Sequence, residues 1–339
     1  MNLNWTKHWN LCPQTLVRQL YRRAVRVINA VYMATPEIAV NCLQKLLNFN
    51  DLNIQAVVTQ PDRPCGRGKK LTAPPVKDFA LAHNIEVLQT ESLKNDEALK
   101  SKLRELNPDF FITFAFGQLL TEEILAIPKI ATINLHASLL PEYRGANPIQ
   151  RAIYDGKEET GITTMLTVLA LDAGDICIQE KIKITPDMTD KELMEIISDK
   201  APFIMYPTIK QLYNKMLTPK KQDESLVTIA KKFKKEDALL DWNRSAQELH
   251  NHVRSMTTWP CACSSIDGKN IKILKTTVLE NECVNDNPGE IVKISKDGIA
   301  VAAKKGILLI TELKPEGKPK MDAYAWTNGV QLKVSDMFK

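Results

Sequence analysis

The first two thirds of the chain alternate short runs of β-branched and aromatic residues with segments that carry apolar residues every three or four positions. The first pattern predicts buried strands and the second predicts amphipathic helices. Strands are predicted at 25–33, 54–59, 85–88, 109–115 and 131–136. Because strands that alternate with helices build parallel sheets covered on both faces, this part of the chain is predicted to be an α/β domain with a mostly parallel sheet.

Local signals predict where this domain's helices start and how its sheet ends. Thr35 and Pro36 precede the apolar face of the first helix and predict its N-cap and first turn. Two more strand-like runs, 161–170 and 175–184, predict a β-rich end to the sheet. The helix that follows opens at Thr189 with a glutamate three residues later, the spacing of a capping box.

The pattern changes after about residue 217. Residues 217–235 are polar, rich in lysine and weakly periodic, which is typical of a linker. One helix follows, and then short alternating runs separated by Gly-containing turns, at the spacing of roughly 8–12 residues expected for a small β-barrel. The predicted division is an N-terminal extension at 1–24, an α/β domain at 25–213, a linker at 214–231 and a β-barrel domain at 232–335.

Composition indicates a globular protein with enough apolar residues for a sizeable core. Hydrophobic residues make up 44% and charged residues 25% of the 339 residues. No apolar run approaches the roughly 18–20 residues that cross a bilayer, so we expect no membrane span. A net charge of +5 fits a polyanionic partner without requiring one. Seven scattered cysteines provide no disulfide framework and favour a reducing compartment, so the expected location is cytoplasmic.

The first thirty residues contain Lys7 and four arginines but no acidic residue. Organelle transit peptides share this composition, but so do short extensions and sequences read from a start codon too far upstream. We favour an extension over a transit peptide. A mitochondrial or other organelle matrix is the alternative location.

His250, His252, Cys261 and Cys263 cluster within a short span and need a test as metal ligands. If 245–255 is a helix, the two histidines project in directions about 200° apart and cannot hold the same ion. The ligand spacing of structural zinc sites is also missing. We therefore predict no metal site.

Two polar segments follow predicted strands and could carry chemistry. Asn134 and His136 are two residues apart on one strand, so both side chains project from the same face. At the carboxyl edge of a parallel sheet, an amide beside an imidazole could stabilise an oxyanion, although a capping Asn and a core His are the commoner outcome. Asp172 lies in LDAGD, a tight turn after another strand, which alone is a weak signal.

Residues 60–71, QPDRPCGRGKKL, form a basic loop rich in proline and glycine that follows a predicted strand. The loop does not match the P-loop pattern, and the first βα turn has no glycine, which excludes a dinucleotide-binding fingerprint. A flexible basic loop can grip phosphates, or it can simply be solvated. Its cationic residues are Arg63, Arg67, Lys69 and Lys70.

Five segments together resemble the methionyl-tRNA formyltransferase family in order and spacing. They are MATPEIAV, QPDRPCGRGKKL, AFGQLL, INLHASLLPEYRGANPIQRAI and LDAGD. The resemblance runs from about Val25 to about Leu313, and the Asn-x-His…Ser-Leu-Leu-Pro…Arg-Gly block is specific to folate-dependent formyltransferases. It implies a Rossmann-like N-terminal domain and an OB-like C-terminal barrel. It also implies formyl transfer from 10-formyltetrahydrofolate to the methionine amino group of initiator methionyl-tRNA. We expect a monomer.

The resemblance also implies roles for individual residues. The catalytic residues would be Asn134, His136 and Asp172. The α-amine attacks the formyl carbon, the amide and a charged imidazole stabilise the oxyanion, and the carboxylate keeps the imidazole charged and helps to manage the proton. The expected folate contacts are Ser138, Leu139, Leu140, Pro141, Phe116, Gly117 and Gln118. The expected tRNA contacts are Arg63, Arg67, Lys69 and Lys70, of which Arg67 and Lys69 are the preferred phosphate contacts.

Two residues depart from the family pattern near these positions. Ala34 stands where the first βα turn usually has glycine, which predicts a slight shift of that turn. Glu142 stands where the family often has a basic residue, which predicts a weaker contact to a phosphate or to the folate glutamate.

Three other functions compete with this interpretation. A formyltransferase for an amino-sugar nucleotide would share the catalytic residues but would not need the basic loop or a basic C-terminal part; residues 225–339 contain 18 Lys and Arg against 14 Asp and Glu. Glycinamide-ribonucleotide formyltransferases are shorter and lack the second domain. A non-enzymatic RNA-binding module would not need Asn134 and His136, and both are present.

Overall fold

The computed structural model describes residues 27–66 and 68–339. The predicted N-terminal extension at 1–24 and Arg67 lie outside the described residues. Within the described ranges, no helix combines the length and the apolar character needed to cross a membrane.

A seven-stranded sheet forms the centre of the N-terminal domain. Its strand order is β10-β9-β7-β6-β1-β2-β5; the pairings from β5 through β7 are parallel, and β9 and β10 are antiparallel. The predicted mostly parallel, Rossmann-like sheet is thereby confirmed. The strands are β1 (Ile28–Ala34), β2 (Leu52–Thr59), β3 (Arg63–Cys65), β4 (Lys70–Thr72), β5 (Glu86–Gln89), β6 (Phe110–Phe114), β7 (Ala131–His136), β8 (Arg144–Gly145), β9 (Glu159–Leu166) and β10 (Ile176–Lys183).

Helices cover both faces of this sheet. They are α1 (Val40–Leu46), α2 (Pro75–Ala82), α3 (Glu97–Leu106), α4 (Glu122–Leu125), α5 (Pro148–Tyr154) and α6 (Asp190–Tyr213). The capping box at Thr189 is confirmed, because its hydroxyl accepts from the Glu192 amide at 3.2 Å. The N-cap predicted at Thr35 is wrong: a 3-10 turn starts at Glu37 without a side-chain cap, and the Thr35 hydroxyl donates to the Phe116 carbonyl at 3.3 Å.

The core follows from the alternation of side chains along the central strands. On β1, Tyr32 belongs to the larger apolar cluster on one face, whereas Val31 and Met33 belong to the smaller cluster on the other. On β6, Ile112 belongs to the larger cluster and Phe111 to the smaller one. Both faces are therefore buried, which explains why these strands read as continuous apolar runs.

A β-rich domain forms the C-terminal part, as predicted for an OB-like fold. Its antiparallel sheet has the order β12-β13-β16-β15-β14, with β17 paired to β16. The strands are β12 (Cys263–Ile266), β13 (Lys269–Val284), β14 (Ile291–Ser295), β15 (Gly298–Ala302), β16 (Lys305–Pro315) and β17 (Met321–Asp322). The helices are α7 (Ala246–Ser255) and α8 (Ala323–Val330).

The two domains meet through α7 and the residues after it. Asp190, fully buried at the start of α6, accepts hydrogen bonds from the amide and hydroxyl of Thr257 and from the hydroxyl of Thr258. On α7, His252 packs edge-on against Tyr154 of the N-terminal domain, with 5.1 Å between ring centroids. The C-terminal domain is therefore joined to the N-terminal domain by buried polar and aromatic contacts as well as by the chain.

The chain between the domains forms regular contacts with the N-terminal domain. A two-residue strand, β11 (Ile229–Ala230), pairs in parallel with β8. Upstream of it, Lys220 exchanges two backbone hydrogen bonds of 2.8 Å with Ile176 at the start of β10. The residues between Lys220 and Ala230 thus cross the loops that precede β8 and β10.

Candidate active site

Asn134 and His136 lie at the carboxyl end of β7, on the same face of the sheet. The neighbouring strand β6 orients the first of them, because the Thr113 hydroxyl donates to the Asn134 amide oxygen at 2.8 Å. The Asn134 amide nitrogen makes no hydrogen bond within the described part of the chain. It is therefore available as a donor at the edge where α/β proteins bind their ligands.

His136 is buried, and both of its ring nitrogens face oxygen acceptors. Its Nε2 donates to the Tyr143 carbonyl at 2.8 Å. Its Nδ1 lies 3.6 Å from the Asp172 carboxylate oxygen Oδ1. A carbonyl and a carboxylate can only accept, so Nε2 is a donor and Nδ1 faces a group that can accept from it.

Asp172 is held in place from several directions. Its carboxylate oxygen Oδ2 accepts from the Gly145 amide at 2.8 Å, and its own backbone adopts a left-handed conformation with φ of 52°. Gly174, two residues later, packs so closely that a Cβ there would lie 1.7 Å from the Leu166 carbonyl oxygen. The LDAGD turn thus needs its glycine for a close backbone approach, and this approach aims the aspartate at His136.

The three residues together form a donor pair backed by a carboxylate. Since Nε2 is bonded to the Tyr143 carbonyl, Nδ1 is the ring nitrogen that faces Asp172. At 3.6 Å, this separation is longer than a good hydrogen bond. A proton on Nδ1 and the amide nitrogen of Asn134 are donors of the kind that stabilise negative charge developing on a carbonyl oxygen.

Other ionisable groups near the site are kept neutral. Burial, followed by the charge of Asp155, raises the pKa of the Tyr143 hydroxyl well above its usual value. Burial also raises the pKa of the Cys177 thiol, to about 12, with a further contribution from Asp175. Neither a phenolate nor a thiolate is therefore present to act as a nucleophile at neutral pH.

The segment Ser138–Pro141 wraps back over the end of β7 and is tied to β9. Thr163 donates to the Ser138 carbonyl at 2.7 Å and accepts from the Leu140 amide at 3.2 Å. The Ser138 hydroxyl donates to the Glu142 carbonyl at 2.7 Å. This serine therefore holds the turn rather than presenting a free hydroxyl. Leu139 and Pro141 are half-buried, whereas Leu140 is buried. The Glu142 carboxylate pairs with Lys157 at 2.9 Å.

The turn Phe116–Gln118 follows β6 at the same edge of the sheet. The side-chain amide of Gln60 donates through Nε2 to the Phe116 carbonyl at 3.2 Å. The Gln118 side chain accepts from the Leu93 amide and donates to the Thr90 carbonyl, both at 2.8 Å, so it braces the neighbouring loop. Gly117 has a φ of 79°, which favours glycine.

A cavity of about 800 Å³ lies beside this turn and has the size of a small-molecule site. The lining combines the apolar side chains of Leu119, Leu120 and Leu169 with polar and charged side chains, which are those of Glu91, Ser92, Lys94, Gln118, Thr121, Glu122 and Glu123. A mixed lining of this kind fits a ligand with both apolar and polar groups.

The basic loop forms a hairpin that projects from the same edge. Strands β3 and β4 pair with each other, and the side chains of Arg63, Lys69 and Lys70 are exposed. At the base of the hairpin, Asp62 pairs with Lys77 at 2.8 Å. The hairpin therefore presents cations to solvent from an anchored base.

The four residues tested as metal ligands have separate roles. The His250 Nδ1 bonds to the Thr276 hydroxyl at 3.0 Å, and the His252 Nε2 donates to the Asp237 carbonyl at 2.8 Å. The Cys261 thiol lies against the Thr257 carbonyl at 3.6 Å. Within the described ranges, no group of three or more His, Cys, Asp or Glu side chains is arranged to hold a metal ion.

Sequence reasoning missed three residues that build this site. Thr113 orients Asn134, and Arg144 and Gln222 are bonded to each other beside Asp172. Alternation along β6 and β7 could have indicated Thr113, since it is a polar residue in an otherwise apolar strand. Gln222 lies in a polar run without periodicity, and no local signal distinguishes it from its neighbours.

Comparisons with known proteins place both domains in one family. The formyl transferase family model matches residues 26–209, and the model of the formyl transferase C-terminal domain matches residues 232–331. A methionyl-tRNA formyltransferase from Clostridium perfringens is 42% identical over 309 residues, which cover 91% of this chain and 99% of that protein.

Solved structures with this fold show lower sequence identity. A methionyl-tRNA formyltransferase from Clostridium thermocellum matches with a TM-score of 0.53 and 16% identity, over 74% of this chain and 93% of that one. An N-formyltransferase from Helicobacter canadensis, in complex with folinic acid and dTDP-3-aminofucose, matches with a TM-score of 0.63 and 18% identity, over 84% and 98%. At these identities the likeness concerns the fold alone.

Proposed function

The chain belongs to the methionyl-tRNA formyltransferase family, and we infer that it transfers a formyl group from 10-formyltetrahydrofolate to the α-amino group of methionine on initiator methionyl-tRNA. Formylated initiator tRNA serves translation initiation. Identity above 40% over nearly the full length of a named relative supports the reaction. The same relatives favour tRNA over an amino-sugar nucleotide as the acceptor.

One observation carries the mechanism: Asn134, His136 and Asp172 converge at the carboxyl end of β7, and the Asn134 amide nitrogen has no partner in the described part of the chain. The folate donor supplies an activated formyl carbon, which the uncharged α-amine of methionine attacks. As the formyl oxygen gains negative charge, the Asn134 amide and the His136 imidazolium donate hydrogen bonds to it. Removing one donor of this kind typically costs about 10²–10³ in rate.

Asp172 has two roles in this mechanism. Its carboxylate lies 3.6 Å from Nδ1 of His136 and holds a negative group against the imidazole. When the attacking amine becomes cationic, the same carboxylate would accept its proton. The bond between the formyl carbon and the folate nitrogen then breaks, and that nitrogen takes up a proton as tetrahydrofolate leaves. The residue is only 9% exposed, so its charge is screened weakly by solvent.

The cavity beside the Phe116–Gln118 turn would hold the folate. Leu119 and Leu169 would cover its ring system, and backbone groups of the Ser138–Pro141 and Phe116–Gln118 turns would contact its polar edge. These contacts bring the formyl carbon next to Asn134. Positioning of this kind can supply a large part of the rate enhancement.

The basic hairpin would bind the acceptor arm of the tRNA. Its exposed residues Arg63, Lys69 and Lys70 match the negative charge of phosphates, and its anchored base at Asp62 keeps them beside the donor pair. Arg67 would join them. We further propose a monomer located in the cytoplasm; size-exclusion chromatography and mass spectrometry of the natural N-terminus test these two points.

The decisive experiment supplies the protein with 10-formyltetrahydrofolate and methionine-charged initiator tRNA. We expect formylmethionyl-tRNA and tetrahydrofolate as products. Transfer to an aminopentose nucleotide but not to the tRNA would contradict the proposed acceptor. Transfer that continues undiminished in His136→Ala would contradict the mechanism.

A further inference from the structure

We propose that the segment between the domains positions the catalytic Asp172, and that Gln222 is the residue through which it acts. This inference rests on the proposed function, because it assigns Gln222 a task in the same reaction. Gln222 does not touch the donor pair; it is a positioning residue that holds the backbone on which Asp172 is mounted.

Gln222 is 4% exposed and uses its whole side-chain amide within the protein. Its Nε2 donates to the Asp172 carbonyl at 2.8 Å and to the Gly174 carbonyl at 2.7 Å. Its Oε1 accepts from the Arg144 guanidinium, at 3.0 Å from Nε and 2.9 Å from Nη2. One side chain therefore joins the loop that carries Asp172 to the loop that carries Arg144.

The neighbours of Arg144 are the two residues that fix the geometry of His136 and Asp172. The Tyr143 carbonyl accepts from the imidazole, and the Gly145 amide donates to the Asp172 carboxylate. Gln222 thus lies at the junction of two loops that set the positions of both partners. A shift of either loop would change the 3.6 Å separation between the imidazole and the carboxylate.

Gln222 is itself held from both sides along the chain. Two residues earlier, Lys220 is paired to Ile176, and downstream the Tyr143 amide donates to the Thr228 hydroxyl at 2.8 Å. A Cβ at position 145 would lie 2.8 Å from the Ala230 carbonyl oxygen, so the segment also packs directly on the glycine. These contacts make the segment a fixed support, in contrast to a flexible tether.

The conformation of Asp172 explains why it needs this support. A non-glycine residue with φ of 52° is strained, and such residues persist when the surroundings over-determine them. The two hydrogen bonds from Gln222 stabilise the carbonyls on both sides of Ala173. Without them, the turn can relax, and Asp172 moves relative to His136.

The test compares Gln222→Glu with Gln222→Met. A carboxylate can still accept from Arg144 but repels the two loop carbonyls, whereas methionine preserves the packing and removes every bond. We expect kcat for formyl transfer to fall by about 10- to 100-fold in both variants, as when reacting groups are misplaced by about 1 Å. KM for both substrates should stay within about twofold, because Gln222 is buried away from them. Gln44→Glu, the same change at an exposed glutamine of α1, is the matched control and should leave both constants unchanged.

A double-mutant cycle separates positioning from a general effect on the fold. If Gln222 acts through Asp172, Gln222→Glu should cost almost nothing further in Asp172→Asn under single-turnover conditions. In parallel, amide hydrogen exchange at Gly145 should accelerate in both Gln222 variants, because that amide donates to the Asp172 carboxylate.

The outcomes are distinct. Wild-type kcat in both Gln222 variants, or an equal loss with and without Asp172, would overturn the positioning role. A wild-type protein that fails to formylate methionyl-tRNA would overturn the proposed function alone. In that case hydrogen exchange at Gly145 decides the inference: acceleration in the variants supports the contact as a brace of the loop, and unchanged exchange rejects it.

Discussion

The Thr113 hydroxyl donates a 2.8 Å hydrogen bond to the amide oxygen of Asn134, across the adjacent strands β6 and β7. This bond selects one orientation of the amide and turns its nitrogen towards the ligand side. The orientation of this proposed catalytic donor is therefore fixed by a neighbouring strand rather than by the segment that carries it.

Replacing Thr113 with valine removes the hydroxyl with little change in volume. Without it, the Asn134 amide can rotate, and we expect kcat to fall about fivefold, the equivalent of one net hydrogen bond of about 1 kcal/mol. Thr113→Ser keeps the donor and should retain most activity. Thr132→Val is the matched control, because the buried Thr132 hydroxyl has no hydrogen-bond partner in the described structure. Equal losses in Thr113→Val and Thr132→Val would show that the bond to Asn134 has no special role.

The basic hairpin predicts a salt-dependent contribution to tRNA binding. Arg63→Gln removes one charge from an exposed position, so affinity should fall across all tRNA sequences and the slope of log affinity against log salt should decrease by about one. Filter binding at several salt concentrations measures this slope. Lys45→Gln, at an exposed lysine of α1, is the control. An unchanged slope in Arg63→Gln would remove this residue from the tRNA interface.

His252 makes the domain junction sensitive to acid. Burial lowers the pKa of His252 to about 4. The charges of Arg244 and Arg151 also lower this pKa, whereas the hydrogen bond to the Asp237 carbonyl raises it. The buried Nδ1, which has no hydrogen-bond partner in the described structure, would have to accept the added proton. Protonation therefore disfavours the folded state.

The sign of the pH effect follows from the lowered pKa. Above pH 6.5 the imidazole is neutral in both the folded and the unfolded state, so the contribution of His252 to the free energy of unfolding is fully present. Between pH 6.5 and about 4 only the unfolded chain binds the proton, so the free energy of unfolding should decrease by about 3 kcal/mol as the pH falls. His250, whose pKa burial also lowers, acts in the same direction.

Thermal melting between pH 7 and pH 4.5 tests this prediction. We expect His252→Phe to have a flatter dependence of Tm on pH than the wild type. His83→Phe, at an exposed histidine, should keep the wild-type dependence. A wild-type slope in His252→Phe would assign the acid sensitivity to other groups.

Gly174 predicts a steric effect on the catalytic loop. A Cβ in Gly174→Ala would lie 1.7 Å from the Leu166 carbonyl oxygen and 2.8 Å from its carbon, so the backbone has to move. We expect a loss of about 1–3 kcal/mol in stability, typical of overpacking, together with a lower kcat because Asp172 shares this turn. Gly329→Ala is a comparison without such a clash, since no atom lies within 4 Å of its Cβ position and its φ is not in the left-handed region. Equal stability in the two variants would show that the loop accommodates the methyl group.

The sequence predicted most of this architecture where the signals are local. The strand at 131–136 and the capping box at Thr189 both depend on short-range chemistry, and both agree with the structure. Thr35 fits the same local rules, but its hydroxyl bonds to Phe116, 81 residues away. Local rules predict a hydrogen bond from such a side chain to its own helix. The same side chain can bond to a distant residue instead once the strands assemble.

The positions of site residues depend on still longer separations. Gln222 bonds to Arg144 and to the Asp172 carbonyl, which are 78 and 50 residues away. Neither partner shares a periodic pattern with it, so the pairing arises only from the path of the chain over the sheet edge. The sequence therefore reveals candidate residue types at strand ends, but it does not reveal which distant side chains orient them.

The pairing of β11 with β8 has a consequence for how the two domains could be exchanged between relatives. Residues 210–231 lie outside both matched family regions, yet they carry part of the framework around Asp172. A hybrid that joins a foreign C-terminal domain at residue 214 would also replace this framework, whereas a junction at residue 232 would retain it. The structural unit that includes the N-terminal domain and the support of Asp172 therefore extends to Ala230, beyond the end of the domain's last helix.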